Sequence, residues 1–296
     1  MSRTPPTAIE SPLRVDCLWY DAIARWLTHR VPRTAARAIV RGHRVLVRDR
    51  LTPIDAFDFR LAVSPQDNIG HHLFYYGAYE SEQVELWRRL LGNGRDSVVL
   101  DVGANIGYYS LIAATHRNVR RVVSFEPNPL VLPALRYNVA LNPGVADKIS
   151  IADVAVGDSD GVVKFYRNRE SHNFGLGSMR AQGSDPVTVE VPLVRLDSFL
   201  PSQKLEHVDL IKIDVEGAEA AVIAGLQGWW SQRRRPTLAV EVHPTLLPDF
   251  GASVRGLFAP LRSAGYRLER LNAEGRLEPA TDTFTAISWV LATPAA

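Results

Sequence analysis

One cysteine, Cys17, is all the chain contains. That excludes an internal disulfide framework and any cysteine-built zinc site, and it fits a reducing compartment. No run of about eighteen apolar residues exists, so no helix is expected to span a membrane. The opening MSRTPPTAIESPLRVD lacks the apolar centre of a secretory signal, and a cytoplasmic chain is expected. Charge of one sign is scarce too. The formal net charge is +2, far from the basic excess of a dedicated nucleic-acid binder, and no basic groove interleaved with aromatics is evident. No nucleic-acid partner is expected. Internal repeats and low-complexity segments are missing as well.

What is present is an ordinary globular composition, 46% apolar and 22% charged over 296 residues, enough to bury a sizeable core. Its charge is uneven, with ten arginines against four acids in residues 1–50. A solvated helical extension accounts for this, and so does peripheral contact with an anionic membrane face or an acidic partner.

The extension, residues 1–60, begins with a proline-bearing stretch expected to be disordered. DCLWYDAIARWLTHRV then places Trp19 and Trp26 on one helical face, where packing is their expected role. A short helix over 34–41 follows, HRVLVRD reads as a strand, and IDAFDFRLAV as another. The main domain is expected over 61–296, with its core over 97–296. YESEQVELWRRLLG is an amphipathic helix ended by Gly92 and Gly94. From residue 97, apolar runs alternate with helical patterns: SVVLDVG, RRVVSFEP, ISIADVAVGD, VDLIKIDVEG, TLAVEVH and YRLERLN as strands, FTAISWVLA closing the chain. Asn128 is the predicted N-cap of the helix NPLVLPALRYNVALN. This alternation predicts an α/β fold: a seven-stranded, mostly parallel, Rossmann-like sheet with helices on both faces. VVKFYRN and VTVEVPLVRL form an antiparallel ribbon around RESHNFGLGSM, a lid-like insertion over about 161–192. His172, Asn173 and Ser178 in it are candidate contacts to an acceptor substrate, unless the loop is a plain solvated tip.

The turn after the first core strand, Asp101-Val-Gly103-Ala104-Asn105-Ile-Gly107, lies where ligands collect in such sheets. Glycines at 103 and 107 permit a tight bend and close backbone approach. The spacing is not the G-x-G-x-x-G of dinucleotide sites, and Asp101 puts negative charge where a pyrophosphate would need the opposite. A carboxylate there suits the ammonium of S-adenosylmethionine. Glu126 ends the next strand, placed to accept from ribose hydroxyls, and Asp153 with Val154 ends the third, placed to meet adenine.

These segments resemble the FkbM-type methyltransferases. VVLDVGANIGYYSL, VVSFEPNP, VAVGDSDGVVKF, LDSFL and VDLIKIDVEGAEAAVIAGL carry the likeness, with YYGAYE and VEVHP in support. The resemblance implies a class I methyltransferase fold and methyl transfer from S-adenosylmethionine. The expected acceptor is a hydroxyl of a sugar, polyketide or related small molecule or glycan. It further implies cofactor contacts from Asp101, Gly103, Asn105 and Glu126. Ala104, Gly107, Asn128, Asp153, Val154 and Asp214 complete the predicted cofactor set, and Tyr79 and Glu80 begin a helix that could close over it.

Methyl transfer to oxygen needs an aligned hydroxyl and a base. Asp214, Glu216, Glu241 and His243 end the fourth and fifth strands and are the catalytic candidates. His243 is the preferred base, since imidazole titrates near neutrality. The same four could hold Mg²⁺ or Ca²⁺, although no clean ligand spacing is visible. Lys212 is odd in a buried strand, and either pairs with a carboxylate or reaches out at the strand end. No cysteine nucleophile is available for pyrimidine methylation, and the fourth strand lacks the Asn/Asp-Pro-Pro-aromatic motif of many amine methyltransferases. Two other readings stay open: a nicotinamide-dependent oxidoreductase, and a non-catalytic Rossmann-like binding domain of glycan assembly.

Overall fold

Apolar runs bounded by turn residues become the central strands of one sheet. In the computed structural model, residues 19–28, 30–47, 50–92, 96–168, 177–178, 186–231 and 235–295 are described. Before the core come helices α1 (Trp19–Thr28) and α2 (Arg33–Leu46), a hairpin of β1 (Thr52–Ala56) and β2 (Phe59–Val63), then α3 (Asn68–Tyr76) and α4 (Ser81–Leu91). The core opens with β3 (Ser97–Val102), α5 (Tyr108–Thr115), β4 (Val119–Phe125), α6 (Leu132–Ala140) and β5 (Ile149–Ala152). A ribbon follows, built of β6 (Ala155–Val156), β7 (Gly161–Asn168), β8 (Gly177–Ser178) and β9 (Pro186–Val194). The second half holds α7 (Leu196–Ser202), β10 (Leu210–Ile213), α8 (Glu219–Ala224), α9 (Gln227–Trp230) and β11 (Thr237–Val242). It ends with α10 (Val254–Ser263), β12 (Tyr266–Leu271), β13 (Leu277–Pro279) and β14 (Ser288–Pro294).

The main sheet runs β13-β12-β14-β11-β10-β3-β4-β5. The five strands from β11 to β5 are parallel, and β14 lies antiparallel between β11 and β12. The seven expected strands are all there, and β13 adds a short eighth at the edge. From β3 the chain steps outward to β4 and β5, then crosses back to β10. That reversal beside β3 opens a crevice at the carboxyl ends of β3 and β10.

Both faces of the parallel strands are covered, so alternate side chains serve two cores. Val98, Leu100 and Val102 join Ile211, Ile213 and Val240 under α7–α10. Val99, Leu210 and Ala239 join the residues of α3–α6 on the other face. Each such side chain contributes about 1.5–3 kcal/mol of burial. Asp101, Ser124 and Lys212 fall on that second parity in direct register, Asp101 opposite both others. A polar row is therefore built into an apolar face by sequence position alone.

Several local expectations change. Residues 43–46 continue α2 rather than starting a strand, because His43 bonds inward to Asp21 (2.8 Å) and the Tyr75 hydroxyl (2.7 Å). IDAFDFRLAV is a hairpin, turned at Phe57 with φ 51°. Trp19 and Trp26 do not pack: they are 75% and 55% exposed, and the buried residues of α1 are Asp21 and Ala24. Asn128 does not cap α6, which starts at Leu132; its Oδ1 accepts from Leu130 N (3.1 Å) in the preceding turn. The helical segment after β10 is interrupted at Gly225, between α8 and α9. The antiparallel ribbon is formed by β7 and β9 in register from Gly161–Leu193 to Asn168–Pro186. His172, Asn173 and the side chain of Ser178 lie outside the described residues, as does Cys17.

Candidate active site

The carboxyl ends of β3, β4 and β10 frame a cleft with two chambers that share Gly103, Asn105, Asp214 and Glu216. The first chamber reaches over Glu126 and Asn128 to an apolar wall of Val154, Ala155, Val156 and Phe165. The second is closed by Tyr79, Glu80, Tyr108 and Tyr109, with Glu241 at its floor and Asn68 and Ile69 of α3 at its rim.

The turn between β3 and α5 is held by backbone geometry. Gly103 has φ 83°, and a Cβ there would stand 1.8 Å from the Asp214 carbonyl oxygen. Gly103 thus lets the two strand-end loops touch. Gly103→Ala is expected to lower stability by about 1–3 kcal/mol from backbone strain alone, with the clash added. Thermal unfolding beside Gly144→Ala, where a Cβ meets nothing within 4 Å, measures this; equal midpoints would reject the close approach as a constraint. Gly107, with φ 89°, plays another part than expected. Its missing Cβ makes room for Leu135 of α6 (2.6 Å), not for a ligand.

Glu126 is fixed by its own turn: Oε2 accepts from Asn105 N and Oε1 from Asn128 N, both at 2.8 Å. Burial pushes its carboxyl up to about 7 against these two hydrogen bonds. Asn105 sits at φ 51°, its Oδ1 accepting from Ile106 N at 2.8 Å.

Beside Gly107, two further predicted cofactor contacts are corrected. Asp101 is 0% exposed and lines neither chamber. Its Oδ2 accepts from Ser110 (2.6 Å), and its Oδ1 lies 3.7 Å from Lys212 Nζ. The reason is strand parity, which aims it under α5 and not out of the strand end. Asp153 is exposed, turned away from the cleft and paired with Arg136; only its neighbour Val154 reaches the first chamber. Tyr79, Glu80, Gly103, Ala104, Asn105, Glu126, Asn128, Val154 and Asp214 do line the cleft. Lys212 pairs inward: Nζ donates to Asp214 Oδ2 (3.0 Å) and sits 4.8 Å from the Tyr109 ring centre. Burial disfavours its charge, but Asp214 and Asp101 outweigh that and raise its pKa.

The four catalytic candidates do come together. His243 Nε2 is 3.0 Å from Glu241 Oε2, and Nδ1 is 3.6 Å from Glu216 Oε2. Yet His243 is buried behind these carboxylates and lines neither chamber. Burial disfavours the imidazolium, but the Glu241 hydrogen bond and the charge of Glu216 prevail and lift it to about 9. Glu241 is pushed up to about 8 by burial and by Asp214, against its bond to His243. Asp214 is held below the usual carboxylate range: burial works the other way, and Lys212 with Glu241 overrides it. Glu216 is raised by burial, moderated by His243. Glu80 is raised by burial while its Oε2 accepts from the Tyr109 hydroxyl at 2.6 Å. Asp214, Glu216 and His243 offer ligand atoms within 4.8 Å of one another. A divalent cation there would have to displace both carboxylate contacts of His243 and its proton.

Several lining residues are not evident from the sequence motifs. Tyr108 and Tyr109 stand in the quoted IGYYS, where two aromatics directly after a glycine turn are a usable signal. Phe165 follows from the alternation of VVKFY. Asn68 and Ile69 have no local signal, since α3 reaches the cleft only through tertiary packing.

Residues 101–268 match the family model of the methyltransferase FkbM domain. The chain belongs to the FkbM methyltransferase family. The 31-O-demethyl-FK506 methyltransferase FkbM of Streptomyces tacrolimicus is 31% identical over 196 residues, 57% of this chain and 72% of that protein. Methyltransferase sdnD of Sordaria araneosa is 29% identical over 155 residues, 43% of this chain and 60% of its own. The 2-O-methyltransferase NoeI of Sinorhizobium fredii is 31% identical over 145 residues, 44% and 57% respectively. The matched region thus spans between about half and three quarters of these relatives' lengths. A solved FkbM methyltransferase from Methylobacillus flagellatus superposes with TM-score 0.47 at 18% identity, covering 74% of this chain and 50% of that one.

Proposed function

We propose that this chain binds S-adenosylmethionine and methylates a hydroxyl oxygen of a small molecule or glycan. One observation carries the reading: among the described residues the cleft is lined by the carboxylates Glu80, Glu126, Asp214, Glu216 and Glu241, and the one lining cation, Lys212, is already paired inward. That lining fits a ligand with hydroxyl donors, an ammonium and a sulfonium and no phosphate. It fits the pyrophosphate of a nicotinamide cofactor badly. Glu126 would take the ribose hydroxyls, the wall from Val154 to Phe165 the adenine, and Asp214 with Glu80 the ammonium. When bound, the sulfonium supplies an electrophilic methyl group. Oxygen as receiving atom is carried over from the names of the FkbM and NoeI relatives.

The base assignment moves from His243 to Glu216. A histidine held as a cation between two carboxylates has no lone pair to offer. Glu216 lies at the seam of the two chambers, is one-third exposed and has a raised pKa. His243 becomes a positioning residue that holds Glu216 and Glu241.

Calorimetric titration with S-adenosylmethionine and with NADH tests the cofactor. Adenosylmethionine is expected to bind and NADH not. Glu126→Gln should weaken binding by roughly 10- to 100-fold, the range for a lost charge-assisted hydrogen bond. Hydroxyl donors need the ionised carboxyl, so wild-type affinity should fall as pH drops below about 7, and the Gln variant should lose that dependence. Asp101→Ala should show itself in stability, because Asp101 faces Lys212 and not the cleft. NADH binding with no adenosylmethionine binding by folded protein would overturn the proposal.

A further inference from the structure

The helix pair α1–α2 buries polar residues and exposes bulky apolar ones. Its polar residues Asp21 and His43 are buried, with Arg50 joining Asp21 as the second partner. Five of its large apolar residues face solvent: Trp19, Ile23 and Trp26 are 75%, 46% and 55% exposed, and Val45 and Leu46 are exposed at the end of α2. Positions 19, 23 and 26 recur at helical spacing, so three bulky side chains form one protruding stripe.

The exposed charge of this helix pair has a single sign. From Trp19 to Val47 there are six arginines and one acid, and that acid, Asp21, is the buried one. Arg30, Arg37 and Arg41 are exposed, and the Arg30 guanidinium lies 4.5 Å from the Trp26 ring centre. Tryptophans and isoleucine in one stripe, on a helix pair that carries arginines and no exposed acid among its described residues, are the chemistry of a helix lying in the headgroup layer of an anionic bilayer.

We propose that the outer face of α1–α2 is a docking surface for anionic membrane. A second copy of the chain fits worse, since pairing this face with itself brings arginine against arginine. The surface also has a geometric link to the cleft. Phe74 and Tyr75 at one end of α3 pack on His43, and Asn68 and Ile69 at the other end line the second chamber. Nine residues of helix rise about 13 Å. The helix pair and the second chamber are therefore joined by one short helix, α3. If the methyltransferase reading holds, that favours an acceptor hydroxyl carried at a membrane surface.

The test uses the full chain with vesicles of phosphatidylcholine alone or mixed with phosphatidylglycerol. Co-sedimentation is expected with phosphatidylglycerol, weakening as salt rises and falling roughly tenfold or more in Trp19→Ser/Trp26→Ser. The other four tryptophans, Trp87, Trp229, Trp230 and Trp289, are buried, so quenching by brominated lipid should report Trp19 and Trp26 and vanish in the double variant. Both positions are exposed, and the variant should keep its circular dichroism and its adenosylmethionine affinity. Equal sedimentation with both vesicle types, or unchanged binding by the double variant, would overturn docking. So would sedimentation velocity showing a dimer lost in the double variant, with no vesicle binding. Vesicle binding without adenosylmethionine binding would keep the surface and reject the proposed activity.

Discussion

Glu216→Gln is expected to lower kcat by about 10²- to 10⁴-fold, the span associated with a positioned general base, while the dissociation constant for adenosylmethionine stays nearly unchanged. The carboxyl is placed for this task by its backbone. Glu216 sits at φ 52°, and Gly217 follows at φ 105° with side chains of Leu246 and Phe250 where a Cβ would be, at 2.9 Å. A left-handed glutamate is costly, and neighbours must hold it there. Burial raises its pKa, and a carboxyl of higher pKa accepts a proton more readily. Activity needs the ionised carboxyl, so kcat/KM should fall as pH drops through that raised pKa, and the acid limb should disappear in the Gln variant. His243→Gln should act differently. The imidazolium holds the Glu216 pKa down, so its removal should move the acid limb to higher pH, which a purely structural role would not do. Steady-state kinetics across pH read both effects. Unchanged turnover in Glu216→Gln, with the acid limb intact, would reject Glu216 as the base and pass the role to Asp214 or Glu241.

The fold was legible because its signals are local and redundant. Each parallel strand is an apolar run ended by turn residues, and DVGANIG and KIDVEGAE mark the two strands between which the winding reverses. Glu126 and Asp214 could be placed at strand ends for the same reason. What misled was direction. Asp101 stands one residue from the end of β3, and parity, not proximity to the glycine turn, decides that it points beneath α5. His243 looked like a base from its unperturbed pKa, but that value says nothing of two carboxylates brought up by packing. The exposed stripe of α1 was invisible for a related reason. A helical apolar face reads the same whether it covers a core or stands in solvent, and only the buried Asp21–His43 contact reverses its sense.

Replacing Lys212 by methionine should destabilise the fold by about 3–5 kcal/mol, the cost of leaving buried charge without its partner. Lys212 is 2% exposed and stands between Asp214 Oδ2 at 3.0 Å and Asp101 Oδ1 at 3.7 Å. Methionine fills similar volume, so the loss is electrostatic and not a cavity. Asp101 has no route to water: its pKa is raised by burial, and Lys212 and Ser110 hold that rise in check. Without the ammonium, its folded-state pKa climbs further above the unfolded value. A group raised in this way gives stability at low pH that is lost as pH rises through the folded pKa. The deficit of Lys212→Met should therefore be largest at neutral and alkaline pH and shrink on acidification. Asp101→Asn in the methionine background should recover about 1–3 kcal/mol and flatten the pH dependence, because the two sites are coupled and not additive. Urea unfolding of wild type, both single variants and the double variant across pH closes the cycle. Additive losses independent of pH would mean that Lys212 serves packing alone, and that the polar row beneath α5 holds no electrostatic tension.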